Sequence, residues 1–134
     1  MTLQVEVVSP ERILYSGEAD SVIARTVGGG EIAFLTGHAQ FVGALEIATV
    51  TIRAESGDTV LAVHGGFVEV SNDTVTVLSD VAELGDDIDI DRARQAKSEA
   101  EARLARDEDD EAEAAARRAD VRLTAANGPG GAGH

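Results

Sequence analysis

Residues 60–78, VLAVHGGFVEVSNDTVTVL, contain the pattern that decides the fold. Val68 and Val70 stand two residues apart, and so do Val75 and Val77 after the turn-forming pair Asn72-Asp73. A period of two places alternate side chains on one face of an extended strand. Asn-Asp and Gly-Gly pairs between such runs are typical of tight turns. The stretch therefore predicts short antiparallel strands that are joined by turns.

The same alternation extends over the first 86 residues, starting with Leu3, Val5 and Val7. No helical pattern interrupts these runs, and many short strands of this kind favour a sandwich or a barrel. Within residues 43–54 the apolar alternation changes phase between Ile47 and Val50. A bulge, or a bend between two sheets, would explain this change.

The apolar period becomes helical after residue 86. Asp89 is placed to cap a first helix, and Asp110 with Glu113 predicts the start of a second. Each helix carries an alanine-rich stripe, formed by Ala93, Ala96, Ala100 and Leu104 in the first and by Ala112, Ala116, Ala119 and Leu123 in the second. Two helices with a short connection predict an antiparallel hairpin. Because alanine buries little apolar area, we expect this hairpin to dock weakly.

These changes of pattern divide the chain into three parts. Residues 1–86 form the predicted β-sandwich, residues 87–126 the helical hairpin, and residues 127–134 a Gly-rich tail that we expect to be disordered. The fold class is thus mainly β, with a C-terminal pair of helices.

Composition excludes several classes of function. The chain has 134 residues, no cysteine and a formal net charge of −14. An acidic surface repels phosphate backbones and anionic lipids, so we expect no nucleic-acid partner and no direct membrane insertion. Without cysteine there is neither a disulfide framework nor a thiolate metal site.

Residues 28–45, GGGEIAFLTGHAQFVGAL, look like a chemical site but fail each test. A phosphate-binding loop needs a lysine after its last glycine, and the only lysine is Lys97. A dinucleotide fingerprint needs a helix to follow, whereas Glu31–Leu35 alternates like a strand. His38 and His64 have no evident third metal ligand. We therefore expect no catalytic residues and no metal, and His64 is interpreted as a hydrogen-bonded structural residue.

The start of the first helix, Ile88-Asp89-Ile90-Asp91-Arg92-Ala93, admits two interpretations. In the simpler one Asp89 caps the helix while Asp91 and Arg92 are solvated. In the other, Arg92 and arginines of the second helix bind phosphates while Asp89 fixes a base or a sugar. The residues alone leave both open.

Four motifs in order resemble the epsilon subunit of the bacterial F-type rotary ATP synthase. They are VEVVSPERILYSGEA (5–19), GEIAFLTGHAQFVGAL (30–45), VHGGFVEVSNDTVTVLSDVAE (63–83) and IDIDRARQAKSEAEARL (88–104). The resemblance implies a ten-stranded sandwich followed by two helices. It implies a non-catalytic central-stalk subunit of a proton-translocating enzyme, which couples rotation of the c-subunit ring through the gamma subunit to ATP synthesis and restrains ATP hydrolysis through its helices.

The same resemblance implies partners and contact residues. Glu31, Gly37 and His38 match the region that contacts the c ring and gamma, and the extended hairpin would reach the alpha and beta subunits. The protein would then lie at the cytoplasmic face of the cell membrane, as a peripheral part of the complex.

A nucleotide site is implied for those members whose hairpin holds ATP. Its matching positions here are Glu83, Asp89, Arg92, Arg118 and Arg122. Glu99 departs from the family pattern, since nucleotide-binding members tend to place an arginine there. ATP is therefore expected at most as a regulatory ligand, with no cofactor required. The alternative function is a stand-alone ATP-sensing module.

Overall fold

The computed structural model describes residues 2–107 and 109–128. Eight strands are followed by a 3-10 turn, Gly85–Asp87, and by two helices. The strands are β1 Leu3–Val8, β2 Ile13–Ala19, β3 Ser21–Thr26, β4 Gly30–Leu35, β5 Phe41–Ala54, β6 Gly57–Ser71, β7 Thr74–Leu78 and β8 Ala82–Leu84. The helices are α1 Ile90–Arg106 and α2 Asp110–Asn127. The predicted tail lies, from residue 129 onward, outside the described residues.

The strands hydrogen-bond in the order β2-β1-β7-β6-β5-β3-β4, and β8 pairs with β6. The β1–β7 pair is parallel, whereas the other pairs are antiparallel. Although β2 and β5 are not neighbours in this order, they contact each other. The sheet therefore folds over on itself, and the predicted mainly β architecture with two C-terminal helices is confirmed.

The bend expected within residues 43–54 is also present. The register of β5 against β3 shifts between the Ile23–Thr51 pair and the Thr26–Leu45 pair. On the other side of β5, Leu45 pairs with Gly66, whose φ of 122° suits glycine. The described chain has eight strands rather than ten because β5 and β6 run through this bend unbroken, with 14 and 15 residues. Dividing both at the bend would give ten.

Aliphatic residues and Phe34 fill the space between the two layers. The fully buried residues of this core include Leu3, Val5, Val7, Val22, Phe34, Ile52, Leu61, Val63, Val68, Val75 and Val77. The valines of the opening motif thus face inward, as their alternation predicted. Burial of this apolar surface is the dominant favourable contribution to folding.

The hairpin is folded against the sandwich, and α2 makes most of the contact. A second, smaller cluster lies there, formed by Ala62, Ile88, Ala93 and Ala125 with the half-buried Val60, Val121, Leu123 and Ala126. The α1 helix packs on α2. Its alanines 93 and 100 are buried, as are alanines 112 and 119 of α2. The predicted alanine stripes are therefore the packed faces.

Both helix starts are capped by an aspartate. The Asp89 side chain accepts a hydrogen bond from the Arg92 backbone N–H at 3.1 Å, as predicted. In α2 the cap is Asp109, which accepts from the Ala112 N–H at 3.0 Å, so the prediction of Asp110 was wrong by one residue. Asp109 also accepts a hydrogen bond from Arg103, and this second partner favours Asp109 over the neighbouring acids as the helix cap.

Candidate functional site

Glu31 lies near the start of β4, beside the turn that the three glycines form. Its side chain is exposed and faces Arg25 of the neighbouring strand, with 4.0 Å between the charged atoms. No helix follows these glycines, so they are turn residues, as expected. Glu31 is thus a surface carboxylate that is only loosely paired.

Gly37 and His38 lie beyond the other end of β4, so the structure separates them from Glu31. Gly37 has a φ of 85°, and its N–H donates to Asp73 Oδ1 at 2.7 Å. The His38 ring packs edge-on against Phe34, with 5.0 Å between the ring centroids. His38 is half-buried, because its ring extends an aromatic cluster at this end of the sandwich.

Four of the five residues of the proposed nucleotide site line one cavity. The cavity lies between β8, the start of α1 and the end of α2, and its volume of about 480 Å³ is in the range of small-ligand sites. Glu83, Asp89, Arg92 and Arg122 are among its lining residues. Arg118 is not, because its guanidinium bonds Glu111 within α2 at 2.7 Å.

Acidic side chains outnumber basic ones in this cavity. Asp87 joins Glu83 and Asp89, so three carboxylates face two guanidinium groups. Arg122 is committed to Glu83, with 2.6 Å between Nε and Oε1. Arg92 makes no side-chain ion pair within the described part of the chain and is the cation that a ligand phosphate could engage.

Glu83 contacts both the hairpin and the neighbouring strand β6. Its Oε1 lies 2.6 Å from Arg122 Nε and 3.0 Å from His64 Nε2. Burial alone would raise the pKa of Glu83, but the hydrogen bonds from Arg122 and His64 outweigh it and lower this pKa. His64 is therefore hydrogen-bonded and structural, as predicted. Burial lowers its pKa, and the positive charge of Arg122 acts in the same direction.

The structure also contains a surface that was not predicted from the sequence. We call it the apolar row, and it runs across five adjacent strands on the outer face of the sandwich: Ala44, Phe67, Leu78, Val8 and Ile13, each opposite the next. Phe67, Leu78 and Ile13 are 58%, 49% and 60% exposed. A groove of about 380 Å³ borders the row.

A sequence signal for the apolar row did exist. Phe67-Val68 and Val77-Leu78 are adjacent apolar pairs within alternating strands. Since neighbouring residues of a strand point to opposite faces, one member of each pair must face outward.

Other kinds of site receive no support from the described residues. Among residues 2–107 and 109–128, no three histidine, aspartate or glutamate side chains are grouped so that they could hold a metal ion. Over the same residues, neither helix combines the length and the apolar character needed to cross a bilayer.

Comparison with known proteins decides the family. Residues 2–85 match the family model described as the β-sandwich domain of the ATP synthase delta/epsilon chain. The chain is 46% identical over 124 residues to the ATP synthase epsilon chain of Streptomyces griseus, which covers 92% of this chain and 94% of that one. The chain belongs to the ATP synthase epsilon family. The resemblance read from its motifs is confirmed.

Other relatives agree with this assignment. The ATP synthase epsilon chain of Brevibacillus brevis is 49% identical over 92 residues, or 68% of this chain and 69% of that one. The fold is similar to a chain in the structure of the Euglena gracilis mitochondrial ATP synthase OSCP/F1/c-ring, with a TM-score of 0.71 and 21% identity over 99% of this chain and 82% of that chain. As an epsilon-family protein, the chain is a non-catalytic stalk subunit of ATP synthase.

Proposed function

We propose that this epsilon-family chain couples rotation of the c-subunit ring, through the gamma subunit, to ATP synthesis in a proton-translocating ATP synthase. It would act at the cytoplasmic face of the cell membrane, as a peripheral part of the complex. The observation that carries this proposal is the apolar row, a continuous apolar strip with three large exposed side chains on a chain with a net charge of −14. Such a strip is typical of a protein interface.

The gamma subunit is the proposed occupant of the apolar row. Phe67 is its one aromatic member and lies between Ala44 on one side and Leu78 on the other. A large aromatic side chain surrounded by smaller apolar neighbours is typical of an interface hot spot. Burying the row against gamma would join the sandwich to the rotor along five strands.

The two ends of β4 are the proposed contacts with the c ring and gamma. Glu31 offers an exposed carboxylate at one end, and the loop of Gly37 and His38 is held by Asp73 at the other. Their separation along β4 supports contacts with two neighbours rather than with one. Charged groups at the rim of an interface contribute register and specificity more than affinity.

The hairpin is proposed to restrain ATP hydrolysis by leaving the sandwich and extending along gamma toward the alpha and beta subunits. Three of the six hairpin residues in the docked cluster are alanines (Ala93, Ala125 and Ala126), which bury little area per residue. Two salt bridges also hold the hairpin on the sandwich: Arg122 with Glu83, and Arg117 with Glu46 at 3.9 Å. A face of this kind supports two arrangements that differ by a few kcal/mol.

Activity of a reconstituted complex tests this proposal. We expect the intact chain to copurify with gamma and to slow ATP hydrolysis by a complex of alpha, beta and gamma. Deleting residues 88–134 should relieve this restraint without loss of gamma binding. A chain that stays unbound when mixed with gamma would contradict the proposed role.

A second candidate function is ATP sensing, either within the complex or by a stand-alone module. The cavity that gathers Glu83, Asp89, Arg92 and Arg122 supports it, because its ≈ 480 Å³ falls in the range of small-ligand sites. Its three carboxylates oppose a polyphosphate, and Arg118 is engaged elsewhere. ATP would therefore bind as a weak regulatory ligand that relies on Arg92.

Calorimetry with ATP separates this candidate from the first. Binding heat that disappears in Arg92→Ala and persists in Arg94→Ala would support the sensor. Arg94 is a matched control because it is exposed on the same helix turn and pairs only with Asp91, at 3.9 Å. Absence of heat at millimolar ATP would remove the sensing function and leave the coupling function untouched.

A further inference from the structure

A half-buried group of three side chains joins the hairpin to the sandwich. Glu83 of β8 accepts hydrogen bonds from Arg122 of α2 and from His64 of β6, and both reach the same oxygen, Oε1. The His64 side chain is only 4% exposed. Its other ring nitrogen, Nδ1, is buried and has no hydrogen-bond partner. The neutral ring thus suits this site, since only one nitrogen needs to donate.

A proton on His64 would change this balance. The imidazolium would place a second cation beside the oxygen that Arg122 already occupies, with an unpartnered N–H at Nδ1. Repulsion between two cations and the cost of an unsatisfied buried donor both disfavour that state. Release of Arg122 would remove the repulsion and leave protonated His64 as the counter-charge of Glu83.

We propose that His64 and Arg122 compete for Glu83, so that protonation of His64 releases the hairpin from the sandwich. Glu83 is neutralised by Arg122 when the hairpin is docked and by His64 when it is not. This inference builds on the proposed regulatory role of the hairpin and adds acidification as a signal that controls it.

Whether acid favours docking or release depends on the pKa of His64 in the docked state compared with its pKa in the released state. Burial lowers the pKa of His64 below its ordinary value of 6.5, and Arg122 and Arg118 act in the same direction, against the hydrogen bond that His64 donates to Glu83. The released state lacks both arginines, so its His64 binds a proton at higher pH. Docking is then fully present above the released-state pKa and is lost as the pH falls through the docked-state pKa, by up to about tenfold per pH unit.

Other charged groups surround this contact. Arg118 of α2 is paired with Glu111, whereas Arg92 of α1 lines the same cavity without a side-chain ion pair among the described residues. On β5, the strand beside β6, Glu46 lies 3.9 Å from Arg117. Asp87 of the 3-10 turn lies 3.8 Å from Arg12. Asp80, before β8, lines the groove that His64 also borders and is exposed. Glu83 has the lowered pKa and would itself lose its charge only at more acidic pH, below its ordinary value of 4.5.

Distances between two spin labels in the full isolated chain test this proposal. The natural chain has no cysteine, so Glu55→Cys on the sandwich and Ser98→Cys on α1 give two unique label sites. We expect one short distance at pH 8 and a growing longer one as the pH falls from 7 to 5. Circular dichroism of the same samples should show that the sandwich stays folded.

His64→Gln is the decisive variant, because glutamine can donate to Glu83 but does not titrate. We expect it to stay docked from pH 8 to pH 5, whereas His38→Gln, which changes the other described histidine, should release like the parent chain. Release of His64→Gln at the parent's pH, or a parent chain that stays docked at pH 5, would overturn the proposal.

Arg122→Gln supplies an independent reading by NMR of the ring protons. In this variant we expect the pKa of His64 to rise, because its competitor for Glu83 is gone. An unchanged His64 pKa would overturn the competition. Neither experiment includes the gamma subunit, so a negative result for the His64 switch is distinct from a failure of the proposed coupling function.

Discussion

Gly85 shows how a single residue lets the hairpin approach the sandwich. A Cβ atom added there would overlap the carbonyl oxygen of Ala125 in α2 and lie 3.0 Å from that of Val60. Both obstacles are backbone atoms, which cannot move aside as a flexible side chain can. The close approach of α2 to the 3-10 turn therefore depends on glycine.

Gly85→Ala should consequently weaken hairpin docking by about 1–3 kcal/mol, the usual cost of overpacking. The label distances described above would lengthen at pH 8, while the sandwich keeps its far-ultraviolet spectrum. Gly17→Ala is the control, since a Cβ there meets atoms no closer than 3.6 Å. Equal docking in both variants would contradict this account of Gly85.

Glu31 and His38 carry different expectations at the same scale. Glu31→Ala should lower proton-driven ATP synthesis by about two- to fivefold, since an exposed rim pair contributes about 0.5–1 kcal/mol. His38→Ala should also lower thermal stability, because its ring packs on Phe34. Coupled synthesis in vesicles and thermal unfolding measure the two effects. Glu55→Ala, an exposed acid in a distant turn, should change neither.

Helix α2 shows where sequence patterns determine an element and where they do not. The alanine stripe predicted its buried face, and Asp110 with Glu113 predicted a capped start. Five acids in a row, residues 107–111, left the cap ambiguous by one position. Arg103, one turn before the end of α1, selects Asp109, and that contact depends on how the two helices meet.

Asp109→Ala should therefore fray the start of α2, whereas Asp110→Ala should leave it intact. The hydrogen bond from the Ala112 N–H, followed by the one from Arg103, lowers the pKa of Asp109 below its ordinary 3.8. The cap is thus present above pH 3.8 and lost as the pH falls through that lowered value. Exchange of the Ala112 amide proton measures it. Faster exchange in Asp110→Ala than in Asp109→Ala would reverse the assignment.

Strand patterns were informative for a similar reason. Alternation fixed which valines face the core, and the phase change after Ile47 predicted the bend of β5. The apolar row was missed because its members lie far apart in sequence and meet only through strand pairing. Likewise, the cavity at Arg92 forms only because α2 folds back along α1, which brings Arg122 into contact with Glu83.

At the scale of the molecule, the apolar row and the docked hairpin occupy different surfaces of the sandwich. The outer face carries the apolar row, and α2 covers a different surface, formed by parts of β5, β6 and β8. Gamma could therefore stay bound to the row while the hairpin docks or leaves. This division is what a subunit that both couples and regulates requires.

The affinity of the full chain for a complex of alpha, beta and gamma tests the central claim most directly. Phe67→Asp should weaken binding at least about 30-fold, since a hot spot contributes about 2 kcal/mol or more. Val27→Asp is the matched control, because Val27 is 59% exposed and lies outside the apolar row. We expect tight binding by the parent chain and by Val27→Asp, and weak binding by Phe67→Asp. Equal affinity of all three, or no binding by the parent chain, would contradict it.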